Sequence, residues 1–156
     1  MIKISIICIG KVKDDYIKDG ISEFSKRLSK YANVSIIELN EEDDNKGIQN
    51  AVKKETERIV NTLGRRNQSY NILLDLKGKA ETSEEMAKKI EKLSLTYSEI
   101  SFIIGGSNGV DDNLRKIVDY RLKFSSFTFP HQLMRLILIE QIYRWISISK
   151  NIKYHK

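Results

Sequence analysis

The feature that most constrains this chain is an alternation that runs its whole length. Short runs of β-branched and apolar residues take turns with longer charged segments whose apolar residues recur every three or four positions. The first run, Ile2–Ile9, ends at Gly10. Behind it Ile17, Ile21, Phe24, Leu28 and Tyr31 are spaced alternately four and three apart, one face of a helix that opens near Asp14 or Asp15, either of which suits an N-cap. Val34–Leu39 is a second strand. A charged helix from about Ile48 to Leu63 follows, with Gly64 as its C-cap. Tyr70–Leu76, apolar on both faces, reads as a central parallel strand. Thr82-Ser83-Glu84-Glu85 spells a capping box for a helix through Met86, Ile90 and Leu93. Ile100–Ile104 is the fourth strand, about Asp111 to Val118 a short helix, and Leu122–Phe124 a short fifth strand. Pro130, the only proline, starts a last helix that is apolar over more than half its circumference. Strict alternation of this kind predicts an α/β fold, a mostly parallel sheet flanked by helices on both faces. No repeat, linker or low-complexity tract interrupts it, so residues 1–156 read as one domain. The last helix should be buried on two sides, which points to a subunit interface.

Composition narrows the class. Hydrophobic residues make up 40% of the 156, a globular value. At this length folding buries about 70% of the chain's accessible surface. The net charge of +6 leans toward a polyanionic partner such as RNA. Cys8, the only cysteine, lies inside an apolar run and reads as a buried strand residue, not a nucleophile; no intramolecular disulfide is possible, as suits a reducing cytosol. One Cys and two His cannot close a zinc site of the usual kind, and no metal is expected. Lys3 and Ser5 break the N-terminal apolar run, and Arg135, Glu140, Gln141 and Arg144 break Leu133–Ile148, so neither a secretory signal nor a membrane span is predicted. A cytoplasmic enzyme or binding domain remains.

In open α/β sheets ligands bind beyond the carboxyl ends of the strands. Three such ends stand out: Leu74-Asp75-Leu76-Lys77-Gly78-Lys79, Gly105-Gly106-Ser107-Asn108-Gly109 and Phe124-Ser125-Ser126-Phe127-Thr128-Phe129. The glycines of the second are either a plain tight turn or a loop whose backbone approaches a ligand; they match neither the dinucleotide fingerprint nor the P-loop. The third is either a strand end with packed phenylalanines or a pocket wall, its aromatic faces holding an adenine ring or a sulfonium while hydroxyl and backbone groups read the ring's edge. The acidic run Glu41-Glu42-Asp43-Asp44 is most simply a solvated connection. His131, in the first turn of the last helix, suits a structural hydrogen bond. His155 lies in a terminal segment of the kind that usually frays. Arg135 and Arg144, within an otherwise apolar helix, point to a phosphate or a carboxylate. The remaining Lys and Arg are spread over helix surfaces without a dense cluster.

Together Ile4-Ser5-Ile6-Ile7-Cys8-Ile9-Gly10-Lys11, Leu74–Lys79, Ile103-Ile104 with Gly105–Gly109, Thr128-Phe129-Pro130-His131-Gln132, Glu140-Gln141-Ile142-Tyr143-Arg144 and Tyr154-His155-Lys156 closely resemble the ribosomal RNA large-subunit methyltransferase H family of the SPOUT superfamily. The resemblance runs over the whole chain in order. It implies methyl transfer from S-adenosylmethionine to N3 of a pseudouridine in 23S ribosomal RNA, within the assembled ribosome, by a homodimer whose fold carries a C-terminal trefoil knot. It carries cofactor binding onto Leu74, Gly105, Phe124, Ser125, Ser126, Phe127, Thr128 and Phe129. Tyr154 and His155 become the catalytic candidates, supplied to the partner's site, with His155 as acceptor of the N3 proton. Arg144 and Lys156 become candidate phosphate contacts. Lys123 and Phe127 depart from the family's pattern, one charged and one bulky where a smaller or uncharged residue is expected. Three rivals stand beside this reading: a SPOUT enzyme with another RNA target, a silent RNA- or ribosome-binding protein, and a Rossmann-type nucleotide binder, which the missing fingerprint disfavours.

Overall fold

A computed structural model describes residues 1–66 and 68–156. The elements follow the predicted alternation: β1 (Ile2–Ile9), α1 (Asp15–Leu28), β2 (Ala32–Leu39), α2 (Ile48–Gly64), β3 (Ser69–Ala80), α3 (Ser83–Ser94), β4 (Glu99–Ile104), α4 (Asp112–Ile117), β5 (Tyr120–Lys123) and α5 (His131–Ser149). The five strands form one sheet in the order β2-β1-β4-β3-β5. Every pairing is parallel, from Ile2 opposite Ala32 at one edge to Ile72 opposite Tyr120 at the other.

That order explains which face each helix covers. The chain steps toward the β2 edge through α1 and α3, and toward the β5 edge through α2 and α4. Right-handed crossovers running in opposite directions put their helices on opposite faces. Side chains from α1, α3 and α5 accordingly share one apolar cluster, while Ile59 and Leu63 of α2 meet Leu114 of α4 in another. The strands feed both clusters by strict alternation. Ile4, Ile6 and Cys8 face the first, and Ile7 and Ile9 the second; Phe102 faces the first and Ile103 the second. Their continuous apolar sequence follows from burial on both sides.

Three local differences from the sequence reading have physical causes. β3 does not stop at Leu76 but extends to Ala80, because Leu122 of β5 pairs with both Leu74 and Lys79 and the residues between them bulge out. Gly78 belongs in that bulge: a Cβ there would stand 2.6 Å from the backbone oxygen of Arg121. Gly64 is the last residue of α2, not its cap, and Arg65 takes the C-cap place. Asp14 is the N-cap of α1 but its side chain makes no capping bond; its backbone oxygen accepts from Lys18 at 3.1 Å. The capping box of α3 forms as spelled, Thr82 and Glu85 exchanging side chain-to-backbone bonds of 2.9 and 3.1 Å. α5 packs on α1, α3 and the sheet. Among the described residues no helix is long and apolar enough to cross a membrane, and no three His, Cys, Asp or Glu side chains gather as a metal site would need.

Candidate functional site

The carboxyl ends of β3, β4 and β5 open together onto a cavity of about 320 Å³. Its floor is apolar, made by Leu74, Ile104, Leu122 and Met134. One wall is the turn Gly105–Val110, where Gly109 takes a φ of +82°, a left-handed conformation that a side chain disfavours. Gly105 is small for a different reason: a Cβ would stand 2.7 Å from Cγ1 of Val110 and 3.2 Å from the backbone oxygen of Gly109. The turn folds back over its own first residue and leaves no room there. The opposite wall is the segment after β5, held in shape by the Phe127 N–H, which donates to Oγ of Ser125 at 3.0 Å.

Of the residues expected to bind a cofactor, Leu74, Gly105, Phe124, Ser125, Phe127, Thr128 and Phe129 line this cavity. Ser126 does not. Phe127, the bulky departure, is 78% exposed and stands at the rim, so its size does not fill the interior. The sequence reading missed the charged corner. Asp75, nearly buried, accepts from Nε of Arg115 at 2.9 Å and from the Lys77 N–H at 3.0 Å, which pins the β3 bulge to α4. A lone acid inside an apolar strand was the available signal.

His131 also lines the cavity, and its expected structural hydrogen bond is absent: Nε2 is buried and meets no partner among the described residues. Burial, helped by the nearby Arg135 guanidinium, lowers its pKa, with Glu41 opposing. Arg135 meets a carboxylate, one of the two partners expected of it. It donates to Glu38 at 2.9 Å and to the Ile9 carbonyl at 2.6 Å, and is 1% exposed.

The tail residues gather elsewhere. Arg144, Tyr154, His155 and Lys156 line no part of the cavity in this chain. The terminal segment is nonetheless fastened to α3 and α5. The Tyr154 hydroxyl donates to Oε1 of Glu140 at 2.9 Å, and its ring meets that of Tyr143 edge-on with centroids 4.8 Å apart. Arg144 donates to the same Glu140 oxygen at 2.6 Å and reaches Nδ1 of His155 at 3.2 Å. Since an arginine only donates, Nδ1 accepts; the assigned tautomer therefore carries its hydrogen on Nε2, which lies 2.8 Å from Oε1 of Glu84. Desolvation and the bond to Glu140 raise the pKa of Tyr154, so its phenol stays protonated. Lys156 is exposed. Frayed ends lack such contacts.

A larger cavity, about 590 Å³, opens at the other end of the sheet, among Met1, Tyr31, Ile90, Tyr97 and Lys150. It lies at the amino ends of the strands and has no glycine turn, so its size alone does not make it the site.

Similarity to known proteins extends over nearly the whole chain. The sequence profile of the family described as "Predicted SPOUT methyltransferase" matches residues 2–155. A "Ribosomal RNA large subunit methyltransferase H" of Fusobacterium nucleatum is 58% identical over 154 residues, covering 98% of this chain and 99% of that relative. A relative of the same name in Clostridioides difficile is 48% identical, covering 98% and 99%. One in Ruminiclostridium cellulolyticum is 46% identical, covering 99% of each chain. A match of that extent over nearly the whole length shows the family: the chain belongs to the SPOUT methyltransferases, in the ribosomal RNA large subunit methyltransferase H family.

Proposed function

We propose that this chain transfers a methyl group from S-adenosylmethionine to N3 of a pseudouridine in 23S ribosomal RNA. We further infer that it works as one domain, 1–156, in a cytoplasmic homodimer with the family's C-terminal trefoil knot, on the assembled ribosome. The single observation that carries this is the convergence of Leu74, Gly105 and the Phe124–Phe129 segment, three stretches far apart in sequence, on one cavity.

The residues present suit the cofactor. The cavity is within the range of small-molecule sites, about 300–1,000 Å³, with an apolar floor, aromatic edges and backbone groups bared by glycine. When bound, S-adenosylmethionine supplies an electrophilic methyl group on a sulfonium. The chain's own part is alignment and a proton. Leu74, Leu122 and Phe124 offer an apolar seat, and the Gly105–Gly109 turn offers N–H and C=O groups as polar partners. Tyr154, held protonated, is a positioning hydroxyl. The proton acceptor is His155, whose Nδ1 lone pair is covered by Arg144 in this chain and whose Nε2–H is held by Glu84. Drawing Arg144 onto an RNA phosphate would bare Nδ1 for the N3 proton. Lys156 adds a second cation beside it.

Two features support a dimer. The tail residues lie off the cavity of their own chain, and Leu76, Phe127 and Phe129 leave apolar surface at its rim, 52%, 78% and 38% exposed, as a face awaiting a cover does.

The test is transfer of labelled methyl from S-adenosylmethionine to 70S ribosomes lacking the native modification, with the labelled nucleotide mapped. Label on a large-subunit pseudouridine is the expected result, and His155→Ala should cut the rate at least about 100-fold while the cofactor still binds. Label on another RNA would overturn the substrate, and an undiminished His155→Ala enzyme would remove His155 as the acceptor.

A further inference from the structure

The acidic run between β2 and α2, read from sequence as a solvated connection, is fastened at several points. The backbone N–H of Glu42 donates to Oε2 of Glu55 at 2.9 Å, and the Glu42 carboxylate pairs with Arg58. Arg58 also donates to the Asn40 carbonyl at 2.8 Å. Further along, Oδ1 of Asp44 accepts from Nδ2 of Asn108 at 2.8 Å. Asn108 belongs to the glycine turn of the candidate site, so the acidic run and the turn are tied directly.

Glu55 makes the second tie. It projects from α2 and is 5% exposed, an unusual place for a carboxylate. Its Oε1 lies only 2.8 Å from where a Cβ on Gly106 would stand, and Cγ2 of Ile9 is 3.3 Å from the same point. Gly106 is therefore packed by this carboxylate and a strand side chain, and a Cβ there would make the Glu55 carboxylate shift. Burial raises the pKa of Glu55, as do the neighbouring charges of Glu41 and Asp44, against the bond from Glu42 and the charge of Arg58. A carboxylate kept where its charge is disfavoured costs stability, and groups of that kind concentrate at functional sites.

We propose that Glu55 is a positioning residue for the cofactor, setting the height of Gly106 from beneath while the Asp44–Asn108 bond pins the tip of the turn. The β2–α2 connection is then the brace that fixes the cofactor-facing wall, although it lines none of the cavity itself. The inference rests on reading that cavity as the S-adenosylmethionine site. It separates shape from charge: glutamine keeps the volume and an oxygen for the Glu42 N–H, and alanine keeps neither.

Calorimetric titration of the full-length protein with S-adenosylmethionine tests it on Glu55→Ala, Glu55→Gln, Asn108→Ala and the double alanine variant. Glu55→Ala should weaken binding about tenfold and Asn108→Ala about threefold, the loss of one tie each. The double variant should lose less than the product, because both ties hold one turn. Glu55→Gln should stay within about twofold of the parent. Amide exchange at Gly106–Gly109 should quicken in Glu55→Ala with the β4 amides unmoved. Parental affinity in both alanine variants, or a glutamine variant as weak as the alanine one, would overturn the brace. Should Glu55→Ala not fold, the exposed Asn108 decides alone: unchanged affinity there overturns the proposal. A parent protein that binds no cofactor would instead overturn the reading of the cavity, and the brace's role with it.

Discussion

Cys8 and Arg135 occupy neighbouring places in the interior, and each shows what burial does to a reactive group. The Cys8 thiol faces the apolar cluster under α5, its Sγ 3.5 Å from the Ile37 carbonyl. Burial pushes its pKa up to about 11; the nearby Arg135 cation pulls it down but is outweighed, and Glu38 adds to the rise. A thiol at that value is no nucleophile near neutral pH. The sign for stability follows: the folded state keeps the proton where the unfolded chain has lost it. The contribution is whole below the thiol's ordinary value and is lost as pH climbs toward 11. Urea unfolding at pH 8 and pH 10.5 should therefore show a larger loss for the parent than for Cys8→Ala. An alkylating reagent at pH 8 should modify Cys8 only as the protein unfolds, and rapid labelling of the folded protein would contradict this account. At this scale the sequence is legible where chemistry is local. Gly105 and the Phe124–Phe129 segment announce themselves by their neighbours along the chain. The partners of Arg135 and His155 do not, because Glu38 lies 97 residues from the first and Glu84 lies 71 from the second.

The elements were readable for a related reason: each is specified by a period and a boundary residue, both local. Thr82 is the clearest case. Its hydroxyl takes the Glu85 N–H and its own N–H goes to the Glu85 carboxylate, which satisfies two amides that the first turn of α3 would leave bare. The same contacts lower the pKa of Glu85. Thr82→Ala should cost about 1 kcal/mol, seen as a lower urea midpoint with an unchanged slope, and Thr82→Ser should recover most of it. An unshifted midpoint would mean that packing of Met86, Ala87 and Ile90 fixes α3 without its cap. What periodicity did not reveal is the extension of β3. Leu76 is exposed while Asp75 is nearly buried, the reverse of what their polarity suggests, because the bulge turns Asp75 toward Arg115 and Arg121. Strand ends set by pairing with a strand far along the chain carry no period of their own. The acidic run after β2 is the solvated connection its composition suggests, Glu41, Asp43 and Asp44 being exposed; what composition does not reveal is that Asn108 and Glu55 hold it.

Across the whole molecule the two halves of the proposed chemistry stand apart. The cavity proposed for the cofactor sits at the carboxyl ends of β3, β4 and β5, while Tyr154, His155 and Arg144 are anchored on Glu140 and Glu84. Among the described residues no side-chain hydrogen bond, ion pair or ring pair joins the two groups. A chain with both halves, arranged so that neither serves the other, makes sense if a second copy brings its tail to the cavity, and that has a decisive consequence for mixed dimers. Take Gly105→Val, whose added methyls must displace Val110 and the Gly109 backbone and so spoil the cavity, together with His155→Ala, which spoils only the tail. Each variant alone builds two dead sites, since every composite site then lacks one component. In a mixed dimer one site inherits both lesions, and the other pairs an intact cavity with an intact tail. Random assortment of equal amounts makes about half the dimers mixed, so about a quarter of the parental methyl transfer should return. Sites completed within one chain would stay dead in every combination. Activity recovered only after the two proteins are unfolded and refolded together, and absent when they are simply mixed, would place the exchange at the level of dimer assembly. A mixture that stays inactive after verified heterodimer formation would return His155 to the service of its own chain.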